Sequence, residues 1–223
     1  MSENVLNLEF EGEQLAASFQ LADSRRSAVA LLLHGGPGGC KEGPSDLYVH
    51  LANALAEAGI SSLRLDFLGE GQSSGDYVKT SASHQVAQYR FAMDWLRNEG
   101  FERVGVVVES FGGTCALGGY LATEVDALVL LWPAIWLLDT AFAPFTTAEQ
   151  QQRVHDEGQL DIEGKFVGQK FIDELLSEPD RESQLKSVVS PTLLVHGTAD
   201  VEVPVQQSEA AFELLPEPKR LVV

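Results

Sequence analysis

The chain has 223 residues, of which 44% are apolar and 22% are charged, enough for one large domain with a substantial core. This composition excludes disorder over most of the chain. Thirty-three acidic against fifteen basic side chains give a formal net charge of −18. Such a surface repels polyphosphates and anionic lipids, so we expect neither a nucleic acid nor a membrane as a partner.

Short β-rich runs alternate with helical patterns along most of the sequence. Strands are predicted at residues 5–10, 15–21, 28–33, 62–67, 104–108, 126–132, 192–195 and 220–223. Helices are predicted at residues 45–59, 81–98, 111–122 and 205–215, the first of them with Ser45 as its N-cap. This alternation predicts an α/β fold, in which helices cover a mainly parallel sheet.

The alternation lapses between residues 134 and 188. Helical spacing recurs at residues 147–157 and 162–176, and aromatic residues crowd the start of the segment. An amphipathic insertion after a strand is typical of a helical lid over a site at the carboxyl edge of a sheet, although extra packing helices would give the same pattern. We expect a single domain, with a core formed by residues 1–133 and 189–223 and a lid formed by residues 134–188.

Residues 1–11 carry three acidic residues and no basic one, which is not the pattern of a secretory signal, so a cytoplasmic location is the default expectation. The two cysteines, Cys40 and Cys115, are too few for a disulfide framework and have no metal-ligand spacing. We therefore expect no metal and no other cofactor.

The most informative motif is a serine between a strand and a helix. Residues 104–108 are nearly all valine, and Glu109, Ser110 and Phe111 follow, before a pair of glycines. A tight turn of this kind projects the serine hydroxyl above the sheet and directs the next backbone N–H into the same space. A simpler interpretation is that Ser110 is only a helix N-cap. The motif also departs from G-x-S-x-G, because Val108 occupies the first glycine position.

Three further motifs follow predicted strands: HGGPGG at residues 34–39, DFLGEGQS at residues 66–73 and HGTADVEVP at residues 196–204. Together with the Ser110 turn, and in this order, they resemble the α/β-hydrolase family, in particular its serine aminopeptidase and small-esterase (cinnamoyl-esterase-like) branch. The resemblance covers residues 28–223, nearly the whole chain.

The resemblance implies acyl transfer by a serine nucleophile. Ser110 would attack a carbonyl carbon, the backbone N–H groups of Gly36 and Phe111 would form the oxyanion hole, and Asp200 would orient a histidine. Asp66 would have a structural role in its glycine-rich turn.

The catalytic histidine of that family follows the final strand, and here no histidine follows His196. His34 and His196 belong to glycine turns, where structural hydrogen bonds are expected. His50 and His84 fall on predicted surface helices, so His155 in the insertion is the one remaining substitute.

Three explanations of the missing histidine stay open. In the first, which we favour because the sequence stops within a predicted strand, the chain would be a truncated product. In the second it would be a degenerate hydrolase kept for binding, and in the third another subunit would complete the site. An unpaired final strand also predicts edge-to-edge pairing into a homodimer.

The expected substrate is a small ester with an apolar or aromatic acyl group, since the insertion is rich in aromatic residues. The expected substrate contacts are Trp136, Asp139, Phe142 and Phe145. Two alternatives remain: a proline-iminopeptidase-like peptidase, with Glu109, Glu157 or Glu163 binding the substrate amine, and a non-catalytic binding protein.

Overall fold

The computed structural model describes residues 3–22, 26–162 and 164–223. Within these ranges, eight strands form one sheet in the order β1-β2-β4-β3-β5-β6-β9-β10. The first two pairings, β1 with β2 and β2 with β4, are antiparallel, and all the later ones are parallel. The strands are β1 (Glu3–Phe10), β2 (Glu13–Gln20), β3 (Ala28–Leu33), β4 (Ser61–Leu65), β5 (Arg103–Glu109), β6 (Ala127–Leu131), β9 (Thr192–Val195) and β10 (Lys219–Val222). The predicted mainly parallel α/β sheet is confirmed.

Seven α-helices accompany the sheet in the part of the chain that the structure describes, and those of the core cover its two faces unequally. The helices are α1 (Leu47–Glu57), α2 (Ala82–Asn98), α3 (Phe111–Gly119), α4 (Ala148–Glu157), α5 (Gln169–Leu176), α6 (Arg181–Lys186) and α7 (Gln206–Leu214). Side chains of α2, α3, α6 and α7 pack on the face that holds Val106 and Val108. Tyr48 of α1 packs on the opposite face against Leu32. Val107 on that second face is only half-buried, so the valine run is fully covered on one side only.

The start of α1 differs from the prediction. Pro44–Asp46 form a 3₁₀ turn, and Ser45 within it adopts a left-handed conformation with φ 52°. Pro44 fixes the start of this tight turn, so Ser45 is taken up in it and does not cap the helix. By contrast, α2 begins as predicted after Ser81, whose hydroxyl accepts a hydrogen bond from the N–H of His84 (3.2 Å).

The insertion differs more from the prediction. The first half of the predicted helix at residues 162–176 is an antiparallel hairpin, formed by β7 (Gln159–Ile162) and β8 (Lys165–Gly168). Gly164 turns the chain at φ 87°, and its N–H donates to the Asp161 carboxylate (2.7 Å). The helix α6 was not predicted, whereas α4 begins after the cap Thr147 as expected.

The insertion packs directly on the helix that follows Ser110. Phe111 and Cys115 of α3 share a buried cluster with Phe142, Phe171 and Leu160 of the insertion. The insertion therefore covers the carboxyl edge of the sheet beside Ser110. Opening and closing of this cover as a lid stays a prediction. Among the helices of the described ranges, none is both long and apolar enough to cross a membrane.

Candidate active site

Ser110 adopts a strained backbone conformation in the turn between β5 and α3. Its φ is 47° and its ψ is −124°, a region that non-glycine residues rarely occupy. Its N–H donates to the carbonyl of Leu131 (3.0 Å), and its own carbonyl accepts from the N–H groups of Gly113 (2.9 Å) and Ala134 (3.0 Å). Ser110 occupies the N-cap position of α3, but its hydroxyl makes no capping hydrogen bond, so side-chain capping does not account for this serine.

Glycines on both sides of this turn permit its close packing. A Cβ on Gly112 would lie 2.8 Å from the carbonyl oxygen of His34, and a Cβ on Gly35 would lie 2.9 Å from the Cβ of Ser110. The turn and the loop after β3 therefore approach each other to a distance that only glycine allows. Val108, in contrast, lies buried in the regular part of β5, paired with Leu33.

Gly36, which lines the same pocket as Ser110, and Phe111, the next residue along the chain, each carry a backbone N–H that has no acceptor in the described ranges. The neighbouring N–H of Gly35 is engaged, because it donates to Oε1 of Glu109 (3.2 Å). The two predicted oxyanion-hole donors therefore have no acceptor among the described residues, and their role in an oxyanion hole stays a prediction.

Asp200 lies on the loop after β9 and lines the same cleft as Ser110, a space of about 320 Å³. Its Oδ1 accepts hydrogen bonds from the N–H groups of Glu202 (3.0 Å) and Val203 (2.9 Å). These two hydrogen bonds hold the carboxylate through Oδ1, and Oδ2 accepts no backbone hydrogen bond from the described residues. That Oδ2 lies 3.6 Å from Nε2 of His196.

Both turn histidines have structural partners, as predicted. Nε2 of His196 donates to the carbonyl of Val203 (2.8 Å), and its Nδ1 accepts from the hydroxyl of Ser208 (2.8 Å). Nε2 of His34 accepts from the N–H of Phe67 (3.1 Å), and its Nδ1 contacts the carbonyl of Gly35. Burial lowers the pKa of His34 below its ordinary value. This ring is therefore neutral at pH 7.

The other three histidines lie elsewhere in the fold. His50 is exposed on α1, His84 lies on α2 with Nε2 3.4 Å from a carboxylate oxygen of Glu11, and His155 is exposed on α4. Among the described residues, no histidine lines the Ser110 cleft or the narrower pocket beside it.

No family model matches the sequence, and no curated protein matches it. Solved structures match it closely in shape. Est1E from Butyrivibrio proteoclasticus, solved with ferulic acid bound, superposes with a TM-score of 0.82 at 19% identity, covering 97% of this chain and 88% of that one. The Pyrococcus furiosus esterase Pf2001 gives a TM-score of 0.73 at 19% identity, covering 100% and 82%. Mouse alpha/beta hydrolase domain-containing protein 10 gives 0.74 at 19% identity, covering 98% and 88%.

The chain has the α/β-hydrolase fold. In this fold the strand order reverses around β3, which lies between β4 and β5. The loops after β3 and β5 meet at that point, where open α/β sheets bind their ligands. The location of the Ser110 cleft therefore follows from the topology as well as from the motifs.

The structure separates the four aromatic and acidic residues that sequence reasoning grouped together. Phe142 and Phe145 line a narrow pocket of about 70 Å³ with Ser110 and Gly36. Trp136 and Asp139 instead line a separate groove, together with Pro204 and Gln207. Because of this placement, only the two phenylalanines remain beside the serine.

The three acidic residues considered for an amine subsite also differ in position. Glu109 lines the cleft, and burial raises its pKa, an effect that the N–H of Gly35 partly offsets. Glu157 is exposed at the end of α4. Glu163 lies outside the described residues.

Some residues at the site were not anticipated. Glu202 and Val203 line both the cleft and the narrow pocket, and Thr140 lines the pocket. Glu202 and Val203 belong, like Asp200, to the HGTADVEVP motif, which follows a predicted strand, so their presence at the site could have been predicted from the motif. In the described ranges, no group of three or more potential metal ligands is found.

Asp66 is the centre of a buried structural network. It accepts hydrogen bonds from Nζ of Lys41 (3.0 Å), from the N–H of Lys41 (2.5 Å) and from the N–H of Gln72 (2.9 Å). Both partners of the ion pair are buried, since Asp66 is 0% and Lys41 2% exposed. The pair joins the loops after β3 and β4, and Asp66 does not line the cleft.

We expect Asp66→Ala to lower the free energy of unfolding by about 3 kcal/mol, because it leaves the N–H groups of Lys41 and Gln72 without their acceptor and removes the buried charge partner of the Lys41 ammonium. The ammonium then keeps only Oε1 of Gln72 (2.9 Å) and the partly exposed carboxylate of Glu42 (3.2 Å). Urea denaturation measures this change. The double variant Lys41→Met with Asp66→Ala is the control, and it should recover part of the loss. Equal stability of Asp66→Ala and the native chain would contradict a structural role.

Proposed function

We propose that this protein is a serine hydrolase that cleaves carboxylic esters through an acyl-enzyme at Ser110. The observation that carries the proposal is the combination of a strained serine, a hydroxyl that does not cap its helix, and two nearby N–H groups, of Gly36 and Phe111, that have no acceptor among the described residues. A helix cap requires no strain and would use the hydroxyl. A nucleophile next to an oxyanion hole requires all three features.

The reaction would proceed in two steps. Oγ of Ser110 attacks the carbonyl carbon, and its proton passes to a base. The N–H groups of Gly36 and Phe111 stabilise the negative charge on the carbonyl oxygen, with help from the N-terminus of α3. The alcohol then leaves with the proton, and water attacks the acyl-enzyme to release the acid and free Ser110.

The mechanism needs a base between Ser110 and Asp200, and an imidazole ring would fill this role. Both residues line the 320 Å³ cleft, and Oδ2 of Asp200 is its one carboxylate oxygen without a backbone hydrogen bond. The described residues that line the cleft include no histidine. An imidazole supplied in solution can therefore act as the base, with Asp200 orienting it.

The acyl group would bind against Phe142 and Phe145 in the narrow pocket. The Phe142 ring packs at a tilt against the Phe111 ring, with a ring-centre distance of 5.3 Å, so the aromatic wall that Phe142 gives the pocket is held by α3. Est1E, a structural neighbour, was solved with ferulic acid, an aromatic acid. These two facts support an ester with a small or planar apolar acyl group over a peptide. Glu109 is a poor amine subsite, since its carboxylate holds the N–H of Gly35.

We expect the 223-residue chain to hydrolyse p-nitrophenyl butyrate faster when imidazole is added. The rate with both chain and imidazole should be about tenfold higher than the rate with the same imidazole and no protein. The added rate should increase with the free-base fraction of imidazole. Ser110→Ala should abolish it, whereas the exposed serine variant Ser187→Ala should retain it. An imidazole-dependent rate that persists in Ser110→Ala would contradict the assignment of the nucleophile. Absence of any added rate in the native chain would favour a non-catalytic binding protein.

Asp200→Ala should reduce the imidazole-dependent rate by about tenfold or more, because the base is no longer oriented. The matched control is Asp139→Ala, an aspartate in the separate groove, which should leave the rate within about twofold. The slope of rate against imidazole concentration measures both effects. Equal slopes for the two variants would show that Asp200 does not act on the base.

A further inference from the structure

Glu70 is a buried carboxylate in the loop after β4. It is only 1% exposed, and its Oε1 accepts a hydrogen bond from the N–H of Gly38 (2.7 Å). Gly38 belongs to the loop of residues 35–39, which also carries Gly36. Burial of a carboxylate is costly unless it is paired and hydrogen-bonded, so this contact constrains the loop.

The second carboxylate oxygen of Glu70 faces the insertion. Oε2 lies 3.1 Å from Nζ of Lys165, and no described residue donates a hydrogen bond to it. Lys165 is the first residue of β8 in the insertion hairpin. The Glu70 carboxylate therefore joins two segments: Oε2 pairs with the Lys165 ammonium, and Oε1 holds the loop of residues 35–39.

Lys165 also approaches a second support of the same loop. Its ammonium lies 6.0 Å from the centre of the Tyr77 ring, and its Nζ is 3.4 Å from the carbonyl oxygen of Gly69. The hydroxyl of Tyr77 lies only 3.0 Å from where a Cβ on Gly36 would be. The loop of residues 35–39 is therefore held by the hydrogen bond from Gly38 to Glu70 and by the close packing of Gly36 against the Tyr77 hydroxyl. Lys165 lies beside both Glu70 and Tyr77.

The hairpin itself packs tightly against this region. A Cβ on Gly168, at the end of β8, would collide with the carbonyl oxygen of Val78, the residue after Tyr77. The hairpin and the Tyr77 turn are therefore in backbone contact. A displacement of the hairpin would move Lys165 away from Glu70 and Tyr77 together.

We propose that Glu70 and Lys165 are a pair of positioning residues that connect the insertion hairpin to the loop carrying Gly36. The inference rests on the proposed function, because it assigns the N–H of Gly36 to the oxyanion hole. Oxyanion donors act over 2.7–3.1 Å, and a misplacement of about 1 Å can cost about 100-fold in rate. The insertion then helps to assemble the oxyanion hole in addition to covering the cleft.

The test compares lysine variants at two places in the insertion. Lys165→Met removes the charge, Lys165→Arg keeps it, and Lys170→Met is the matched control on α5. Lys170 is 65% exposed and lies 3.8 Å from Glu174, away from the loop. Backbone hydrogen exchange of the segment containing residues 35–39 and the imidazole-dependent hydrolysis of p-nitrophenyl butyrate are measured for each variant.

Lys165→Met should increase exchange in the loop about tenfold and decrease kcat about tenfold, with KM within about twofold. Lys165→Arg should restore most of both values, and Lys170→Met should match the native chain. Glu70→Ala, which also removes the acceptor of Gly38, should decrease kcat by about 100-fold.

A Lys165→Met variant with native loop exchange and native kcat would overturn the proposal, even if its stability in urea were reduced. An equal effect of Lys170→Met would overturn it as well. If the native chain shows no Ser110-dependent hydrolysis, the proposed function fails, and the exchange data still decide whether the pair positions the loop.

Discussion

The strained turn at Ser110 is the constraint on which the rest of the site depends. A φ of 47° at a serine costs of order 1–3 kcal/mol, and it persists because the surrounding backbone determines it. Hydrogen bonds to Leu131, Gly113 and Ala134 hold the turn from the neighbouring strand, from α3 and from the start of the insertion. The buried sheet and α3 thus supply the energy that keeps one hydroxyl in the cleft.

Buried polar groups around the cleft have the supporting roles that the sequence predicts for them. His34 and His196 fix the loops after β3 and β9 through hydrogen bonds on both ring nitrogens. Asp66 and Lys41 join the loops after β3 and β4. In the proposed mechanism the chemistry is carried out by Ser110, Asp200 and backbone N–H groups, while the histidines and the buried ion pair hold the surrounding loops in place.

The sequence predicted the parts of the fold that local pattern determines. The strands before Ser110 and Asp200 were correct, because unbroken apolar runs between glycine turns specify buried parallel strands. The hairpin at residues 159–168 was missed, since the helical spacing of Val167, Phe171, Ile172 and Leu175 was extended back to Ile162. The separation of Asp139 from Phe145 and the contact between Glu70 and Lys165 depend on how the insertion folds back, which no local pattern encodes.

The central claim is that the hydroxyl of Ser110 is a covalent nucleophile. Treatment of the chain with a fluorophosphonate in the presence of imidazole, followed by intact-mass measurement and peptide mapping, tests it most directly. The account predicts a single phosphonyl adduct, located on Ser110. An unmodified protein, or an adduct on another side chain such as the half-buried Cys40 that lines the same cleft, would contradict it.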